Sequence, residues 1–149
     1  KIVFFDIGYN VGFESKKITK IFSNNCKIHA FEPIPELNNN IPKNIKFNNF
    51  AISLKSNDKV KFVKKNISSH SFLEKNKTKK YSKDEIIYVK TKNLSEYCKQ
   101  NKIKNKNYIK IDTEGNELDC LKSLKNYITK VTLMKIEINQ KNFLKSINI

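Results

Sequence analysis

The chain opens on a pattern that few folds accommodate, an unbroken apolar run that leads into an aspartate and a glycine-bearing loop. Residues 2–5 are Ile, Val, Phe and Phe, Asp6 follows, and Gly8 and Gly12 precede an amphipathic segment that starts at Phe13. This pattern predicts a buried strand, a tight turn and the start of a helix. Ligands of open α/β sheets bind at the carboxyl ends of such strands. The loop is therefore a candidate binding site.

The first third of the chain alternates between predicted strands and helices. Apolar residues recur at helical spacing over 13–22, which predicts an amphipathic helix. A second short strand is predicted over 27–31, a short helix over 35–40 and a third strand over 45–53. Strands separated by helices favour right-handed βαβ units and a parallel sheet.

The pattern changes in the middle of the chain. Residues 59–63 and 86–91 each alternate polar and apolar side chains with period two, which predicts an antiparallel pair. The segment between them, residues 64–85, is rich in Lys, Asn and Ser and too long for a simple connection. We expect a lid or a mobile insertion there.

The last third returns to alternating helices and strands. Its predicted elements are helices at 94–99 and 116–126 and strands at 108–111 and 131–138. In the second helix, Leu118, Leu121 and Leu124 are expected to face the core. We therefore predict a single α/β domain over residues 1–149, with a three-layer, doubly wound and mostly parallel sheet. Because the chain starts on a core strand without Met, we expect it to be part of a longer protein.

The net charge of +16 raises the question of nucleic-acid binding. All 30 basic residues are lysines, so there is no arginine for bidentate recognition of phosphate or guanine. This composition favours a solvated lysine surface over a nucleic-acid interface. No apolar window is long enough to span a bilayer, and no secretory leader is visible, so we expect a cytoplasmic protein without a membrane span.

The cysteines and histidines give little sign of a metal site. The three cysteines have no C-x-x-C spacing, which is typical of reduced, buried thiols. Cys26 and His29 lie three apart on a predicted strand and should point to opposite faces of the sheet. We expect both to be core or sheet-face residues and predict no metal ion.

The glycine loop departs from the dinucleotide-binding fingerprint. That fingerprint would need glycine at positions 8, 10 and 13, but the chain has Gly8, Asn10 and Phe13. A pyrophosphate-bearing cofactor is disfavoured, whereas a cofactor with an adenosine, an amino-acid tail and no phosphates is compatible. Asp6 would then meet the ammonium of the tail or an ordered water. The alternative is an ordinary turn that needs glycine for its backbone angles.

Glu32 is the second candidate binding residue. It follows the second predicted strand, 24 residues after Gly8, and precedes Pro33, which biases Glu32 away from helical backbone angles. An acidic group at this place binds ribose hydroxyls in doubly wound nucleotide sites. The alternative is an exposed acid beside a proline turn.

The acidic segment IDTEGNE follows the strand that we expect beside the first one. Asp112 and Glu114 are candidate catalytic residues there, whereas Glu117 is assigned to helix capping. Helix capping is also the alternative for the first two. His70, in the long middle segment, is a further candidate base.

Five segments together resemble one known family. FDIGYNVGFES, HAFEP, NFAIS, IKIDTEGNELDCLKS and KIEI are similar, in order and over nearly the whole chain, to the FkbM family of S-adenosylmethionine-dependent methyltransferases. The resemblance implies a Rossmann-like class I methyltransferase fold. Because only eleven residues follow Ile138, its last two strands either lie beyond this sequence or are lacking from a shortened sheet. The resemblance also implies a set of cofactor-binding residues: Asp6, Gly8, Asn10 and Gly12 in the loop, Ser15 after it, Glu32 on the ribose, Ala51 at the adenine, and Asp112.

The resemblance further implies an O-methyltransferase that acts on a hydroxyl of a sugar, a glycolipid or a related small molecule. Asp112 is the first choice of base, followed by His70 and Glu114. Two alternatives stay open: an RNA methyltransferase that uses the lysine surface, and a non-catalytic module that only binds the cofactor.

Overall fold

The computed structural model describes residues 2–64, 72–73, 85–104 and 107–138. Its strands are β1 (Ile2–Ile7), β2 (Cys26–Phe31), β3 (Ile45–Asn48), β4 (Ala51–Ile52), β5 (Lys59–Val63), β6 (Phe72–Leu73), β7 (Ile86–Lys92), β8 (Asn107–Ile111) and β9 (Val131–Ile136). Its α-helices are α1 (Phe13–Phe22), α2 (Leu94–Gln100) and α3 (Glu117–Leu124). Short 3-10 helices lie at Ser23–Asn25, Pro35–Asn38 and Lys125–Lys130.

The main sheet has five parallel strands in the order β3-β2-β1-β8-β9. β1 lies at its centre and pairs with β2 on one side and β8 on the other. The strand order therefore reverses between β1 and β8, and the crevice at their carboxyl ends is the topological switch point of the fold. The prediction of a doubly wound, parallel α/β sheet is confirmed.

Apolar residues on both faces of the sheet explain its three layers. On one face, α1 contributes Ile18 to a cluster with Phe4, Ile28 and Ala30. On the other face, α2 and α3 pack on the sheet through a second cluster, which includes Phe5, Ile7, Ile109, Ile111, Leu94, Cys98 and Leu124. A strand that is apolar on both faces is stable only between two layers, which is why the apolar runs of β1 and β8 form central strands.

A second sheet has the order β4-β7-β5-β6. β5 and β7 pair antiparallel, which confirms the prediction from their period-two patterns. The prediction of one strand over 45–53 is wrong, because this stretch forms β3 in the main sheet and β4 in the second. The chain turns between them where the amide of Phe50 donates to the carbonyl of Asn48 at 3.0 Å.

Helix α3 confirms one predicted core residue and contradicts another. The prediction that Leu118 faces the core is wrong, because α3 buries the face that carries Cys120, Ser123 and Leu124 and leaves Leu118 39% exposed. Leu124, at the other end of this short helix, is buried as expected. The three cysteines are free and buried, as predicted.

Most of the predicted lid over 64–85 lies outside the described residues. A hydrogen bond joins the two ends of this segment: the amide of Lys64 donates to the carbonyl of Glu85. In the part of the chain that is described, no helix is long and apolar enough to cross a membrane.

Candidate cofactor and active site

The loop after β1 needs its two glycines for reasons of space. Gly8 has φ +82°, and a Cβ atom built on it would lie 1.8 Å from the carbonyl oxygen of Asp112. Gly12 has φ +75°, and its Cβ would lie 2.2 Å from the ring of Tyr9. Positive φ and close contact both exclude a side chain. The glycines thus let the loop lie against the end of β8 and fold over the buried Tyr9.

Asp6 connects the end of β1 to the first turn of α1. Its side chain is fully buried, and Oδ2 accepts a hydrogen bond from Ser15 Oγ at 2.6 Å. A hydroxyl bond of this length is typical of an ionised acceptor. Burial raises the pKa of Asp6, while the ammonium of Lys110, 3.4 Å from Oδ1, acts to lower it. Asp6 and Ser15, two of the predicted cofactor-binding residues, are therefore in direct contact.

Glu32 closes the loop from the neighbouring strand. Its Oε2 accepts from the amide of Asn10 at 2.8 Å, and its Oε1 accepts from the amide of Ile34 at 3.1 Å. Asn10 has φ +50°, so this bond helps to hold a backbone conformation that few residues adopt. Burial raises the pKa of Glu32, and the two amide bonds oppose that shift. Each carboxylate oxygen keeps accepting capacity for a ligand hydroxyl.

Asp112 stands directly beyond β8, beside the loop. Its amide donates to the carbonyl of Ile7 at 3.0 Å, and its side chain is 28% exposed. The turn that follows passes through two residues with positive φ, Glu114 (+54°) and Gly115 (+108°). Glu117 holds this turn, because its Oε1 accepts from the amides of Thr113 and Gly115 at 3.1 and 2.9 Å.

Lys110 is the residue of this site that sequence reasoning missed. Its ammonium donates to the carbonyl of Gly8 at 2.8 Å and lies 3.2 Å from Asp112 Oδ2 and 3.4 Å from Asp6 Oδ1. The signal was present, since a lysine inside the apolar run of a central strand needs buried partners. The sequence predicted that β8 lies beside β1 but not the register of the pair, and the register places Lys110 opposite Asp6.

Of the remaining predicted residues, one lies near Glu32 and one lies outside the described part of the chain. Ala51 is buried in a cluster with Ile34, two residues beyond Glu32. Asn49 ties this region to Glu32, because its Nδ2 donates to the Glu32 carbonyl at 2.9 Å. His70 lies outside the described residues, so the structure leaves its predicted role open.

A buried polar network lies next to the strand end that leads into Glu32. His29 Nδ1 and the hydroxyl of Tyr97 are 2.7 Å apart, and that hydroxyl donates to Asn48 Oδ1 at 3.1 Å. Since the hydroxyl proton goes to Asn48, His29 Nδ1 must carry the proton of the other bond. Burial and nearby lysines lower the pKa of His29 to about 4. His29 is a neutral core residue on the face opposite Cys26, as predicted.

The charged groups of the crevice fit an adenosine cofactor with a cationic tail. Among the described residues, the crevice holds the buried carboxylates of Asp6 and Glu32 and the ammonium of Lys110, which is already shared among three oxygens. Such a site is suited to an ammonium or sulfonium group and to ribose hydroxyls rather than to phosphates. Among the described residues, no three His, Cys, Asp or Glu side chains come together as a metal site would require.

Comparison with known proteins identifies the class. The model of the methyltransferase FkbM domain matches residues 6–146, so the chain belongs to the FkbM methyltransferase family, which uses S-adenosylmethionine. Hexuronic acid methyltransferase AglP of Haloferax volcanii is 27% identical over 144 residues, which cover 92% of this chain and 56% of AglP. The chain thus spans about half the length of this relative. No solved structure matches the chain.

Proposed function

We propose that the protein transfers a methyl group from S-adenosylmethionine to a hydroxyl group of a sugar, a glycolipid or a related small molecule. One observation carries the proposal furthest: the backbone contact between Gly8 and Asp112, which places a partly exposed carboxylate against the cofactor loop. Family membership supports the cofactor, and the name of the relative supports a sugar acceptor.

In this proposal the loop and its neighbours hold the cofactor. Gly8, Asn10 and Gly12 let the backbone approach it, with Ser15 fixing Asp6 below the loop. Glu32 accepts from the ribose hydroxyls, and Ala51 lines the adenine. The hydrogen bond from the Asn10 amide to Glu32 supports this arrangement, since it joins the loop to the ribose-binding carboxylate.

The bound cofactor supplies an electrophilic methyl group on a sulfonium. The protein must align the acceptor hydroxyl, exclude water and take the hydroxyl proton as the new carbon–oxygen bond forms. Asp112 is the proposed base, because it is partly exposed at the mouth of the crevice. Glu114, held two residues further by the turn, and His70 are the proposed alternatives.

An acidic sugar is the acceptor that the chemistry favours. The relative acts, by its name, on a hexuronic acid, and a net charge of +16 attracts anionic substrates to this protein. We place the reaction in the cytoplasm, in keeping with three free, buried thiols.

Replacement of Asp112 tests the proposed base. In Asp112→Asn we expect turnover with a hexuronic-acid glycan to fall by about 100-fold or more, because a general base typically contributes that much. The dissociation constant of S-adenosylmethionine, measured by calorimetry, should stay within a few-fold. Glu114→Gln tests the alternative base and should keep most of the turnover; a larger loss in Glu114→Gln than in Asp112→Asn would make Glu114 the base. Loss of cofactor binding together with turnover would instead make Asp112 a cofactor or structural residue.

A further inference from the structure

Lys110 is a buried cation for which the proposed reaction gives no role so far. It lies within β8, opposite Asp6 of β1 in the register of the parallel pair. Its side chain is only 9% exposed. An ammonium taken out of water costs several kcal/mol unless charged or polar partners replace the water. Its oxygen partners come from three places that the fold brings together: β1, the loop after it and the residue beyond β8.

The charges around Lys110 do not balance within the crevice. Its ammonium contacts two carboxylates, Asp6 and Asp112, and Glu32 adds a third from β2. Burial raises the pKa of Asp6, so the fold itself works against its ionised form, and Lys110 is the cation in contact that opposes this. In the part of the chain that is described, Tyr9 in the loop, Glu14 on α1 and Lys135 on β9 also lie near this cluster, and Glu14 and Lys135 pair with each other at 3.0 Å.

We propose that Lys110 is a positioning residue for the cofactor: its ammonium joins the buried Asp6 carboxylate, the Gly8 carbonyl and Asp112 in one contact and compensates the negative charge of Asp6. The loop conformation and the negative charge of the site are therefore present before the cationic end of the cofactor binds. This inference rests on the proposed function, because it takes S-adenosylmethionine as the ligand. It adds a residue that acts through Asp6 and the loop.

Removal of this ammonium has a consequence that a purely structural role lacks. In Lys110→Met the side chain keeps a similar length but loses its charge, and burial then acts on Asp6 without the opposing effect of Lys110. We therefore expect Asp6 to bind a proton in the empty site. Binding of the cationic cofactor must then release that proton. Linkage between proton and ligand makes the dissociation constant fall as pH rises, by up to about tenfold per pH unit for one proton. Lys110→Arg keeps the positive charge and should keep Asp6 ionised.

Calorimetry with S-adenosylmethionine tests this on the full-length protein and both variants between pH 6 and 8. Titrations in phosphate and in Tris, which differ in ionisation enthalpy, give the number of protons released. For the unaltered protein we expect almost no proton release and less than about a twofold change in dissociation constant. For Lys110→Met we expect release approaching one proton and a decrease of about fivefold or more per pH unit. Lys110→Arg should follow the unaltered protein.

Several outcomes would overturn the inference. One is a folded Lys110→Met protein, judged by circular dichroism, that binds the cofactor without proton release; another is a Lys110→Arg protein that releases as many protons as Lys110→Met. Release of about one proton by the unaltered protein would overturn it even if Lys110→Met does not fold. By contrast, no binding of S-adenosylmethionine to the unaltered protein at any pH would overturn the proposed function itself.

Discussion

Glu32 holds the fold of the loop, and in our proposal it also binds the ribose of the cofactor. Its two oxygens accept from the amides of Asn10 and Ile34, so the carboxylate shapes the loop before any cofactor arrives. A ribose that bonds to the same carboxylate finds it held in place, which lowers the entropy cost of binding. The sequence could indicate that Glu32 ends a strand, but not that it bonds to the loop.

The first prediction concerns this carboxylate. In Glu32→Ala we expect the dissociation constant of S-adenosylmethionine to rise about 10- to 100-fold, because hydrogen bonds to a charged group contribute about 1.5–3 kcal/mol. Glu36→Ala is the matched control, since Glu36 is an exposed glutamate four residues away whose carboxylate pairs with Lys64. Calorimetry measures both. Equal effects of the two substitutions would show that Glu32 does not bind the ribose.

Lys110 marks the limit of sequence reasoning at this scale. Its bond to the Gly8 carbonyl spans 102 positions of the chain, and only the pairing of β1 with β8 brings the two together. Asp6, Gly8 and Asp112 could be predicted as site residues because each stands at a strand end. A lysine in mid-strand has no such positional signal.

At the scale of elements, the network of His29, Tyr97 and Asn48 joins β2, α2 and β3. Asn48 also donates to the carbonyl of Ala30 at 2.9 Å, and its own carbonyl accepts from the amide of Glu32 at 3.1 Å. The network therefore fixes the strand ends from which Glu32 and Ala51 extend. The turn after Asn48, which separates β3 from β4, was missed because apolar residues resume directly after Asn48 and Asn49.

The second prediction is a pH dependence of stability. The pKa of His29 is lowered from 6.5 to about 4 in the fold, so the unfolded chain takes up a proton first as pH falls. His29 should therefore reduce the free energy of unfolding between about pH 6.5 and 4, by up to about 1.4 kcal/mol per pH unit, and have no such effect above pH 7.

Denaturant unfolding at pH 7.5 and pH 4.5 checks this against His29→Gln, which cannot titrate but keeps an amide donor for Tyr97. We expect the stability of the original protein relative to the variant to decrease on going to the lower pH. The comparison is needed because Asp6 and Glu32, with raised pKa values, change stability in the opposite direction. A constant difference between the two proteins would contradict the prediction.

At the scale of the whole molecule, charge and fold point to different kinds of partner. A net charge of +16 would suit nucleic acid, but all of it comes from lysine, and the crevice at the switch point holds carboxylates. The doubly wound sheet could be predicted because strands and helices alternate at both ends of the sequence. The division into two sheets could not, because membership of a sheet depends on pairing between distant strands.

The third prediction distinguishes an RNA methyltransferase from the proposed sugar O-methyltransferase. Binding of a random single-stranded RNA should be weak at physiological salt, and its affinity should depend only shallowly on salt concentration. A protein with a phosphate-binding face loses affinity steeply, with a slope of about 0.7 per neutralised phosphate on single strands. Fluorescence anisotropy over a range of salt measures the slope. Tight binding with a steep slope would favour the RNA methyltransferase.

Transfer of a labelled methyl group tests the central claim most directly. The full-length protein is incubated with methyl-labelled S-adenosylmethionine and a hexuronic-acid glycan, with Asp112→Asn as the background control. The product is then treated with mild alkali, which cleaves methyl esters and leaves methyl ethers intact. We predict label in the glycan that survives this treatment, as methylation of a hydroxyl requires. Label lost to alkali, or none transferred by a protein that binds the cofactor, would contradict the proposed reaction.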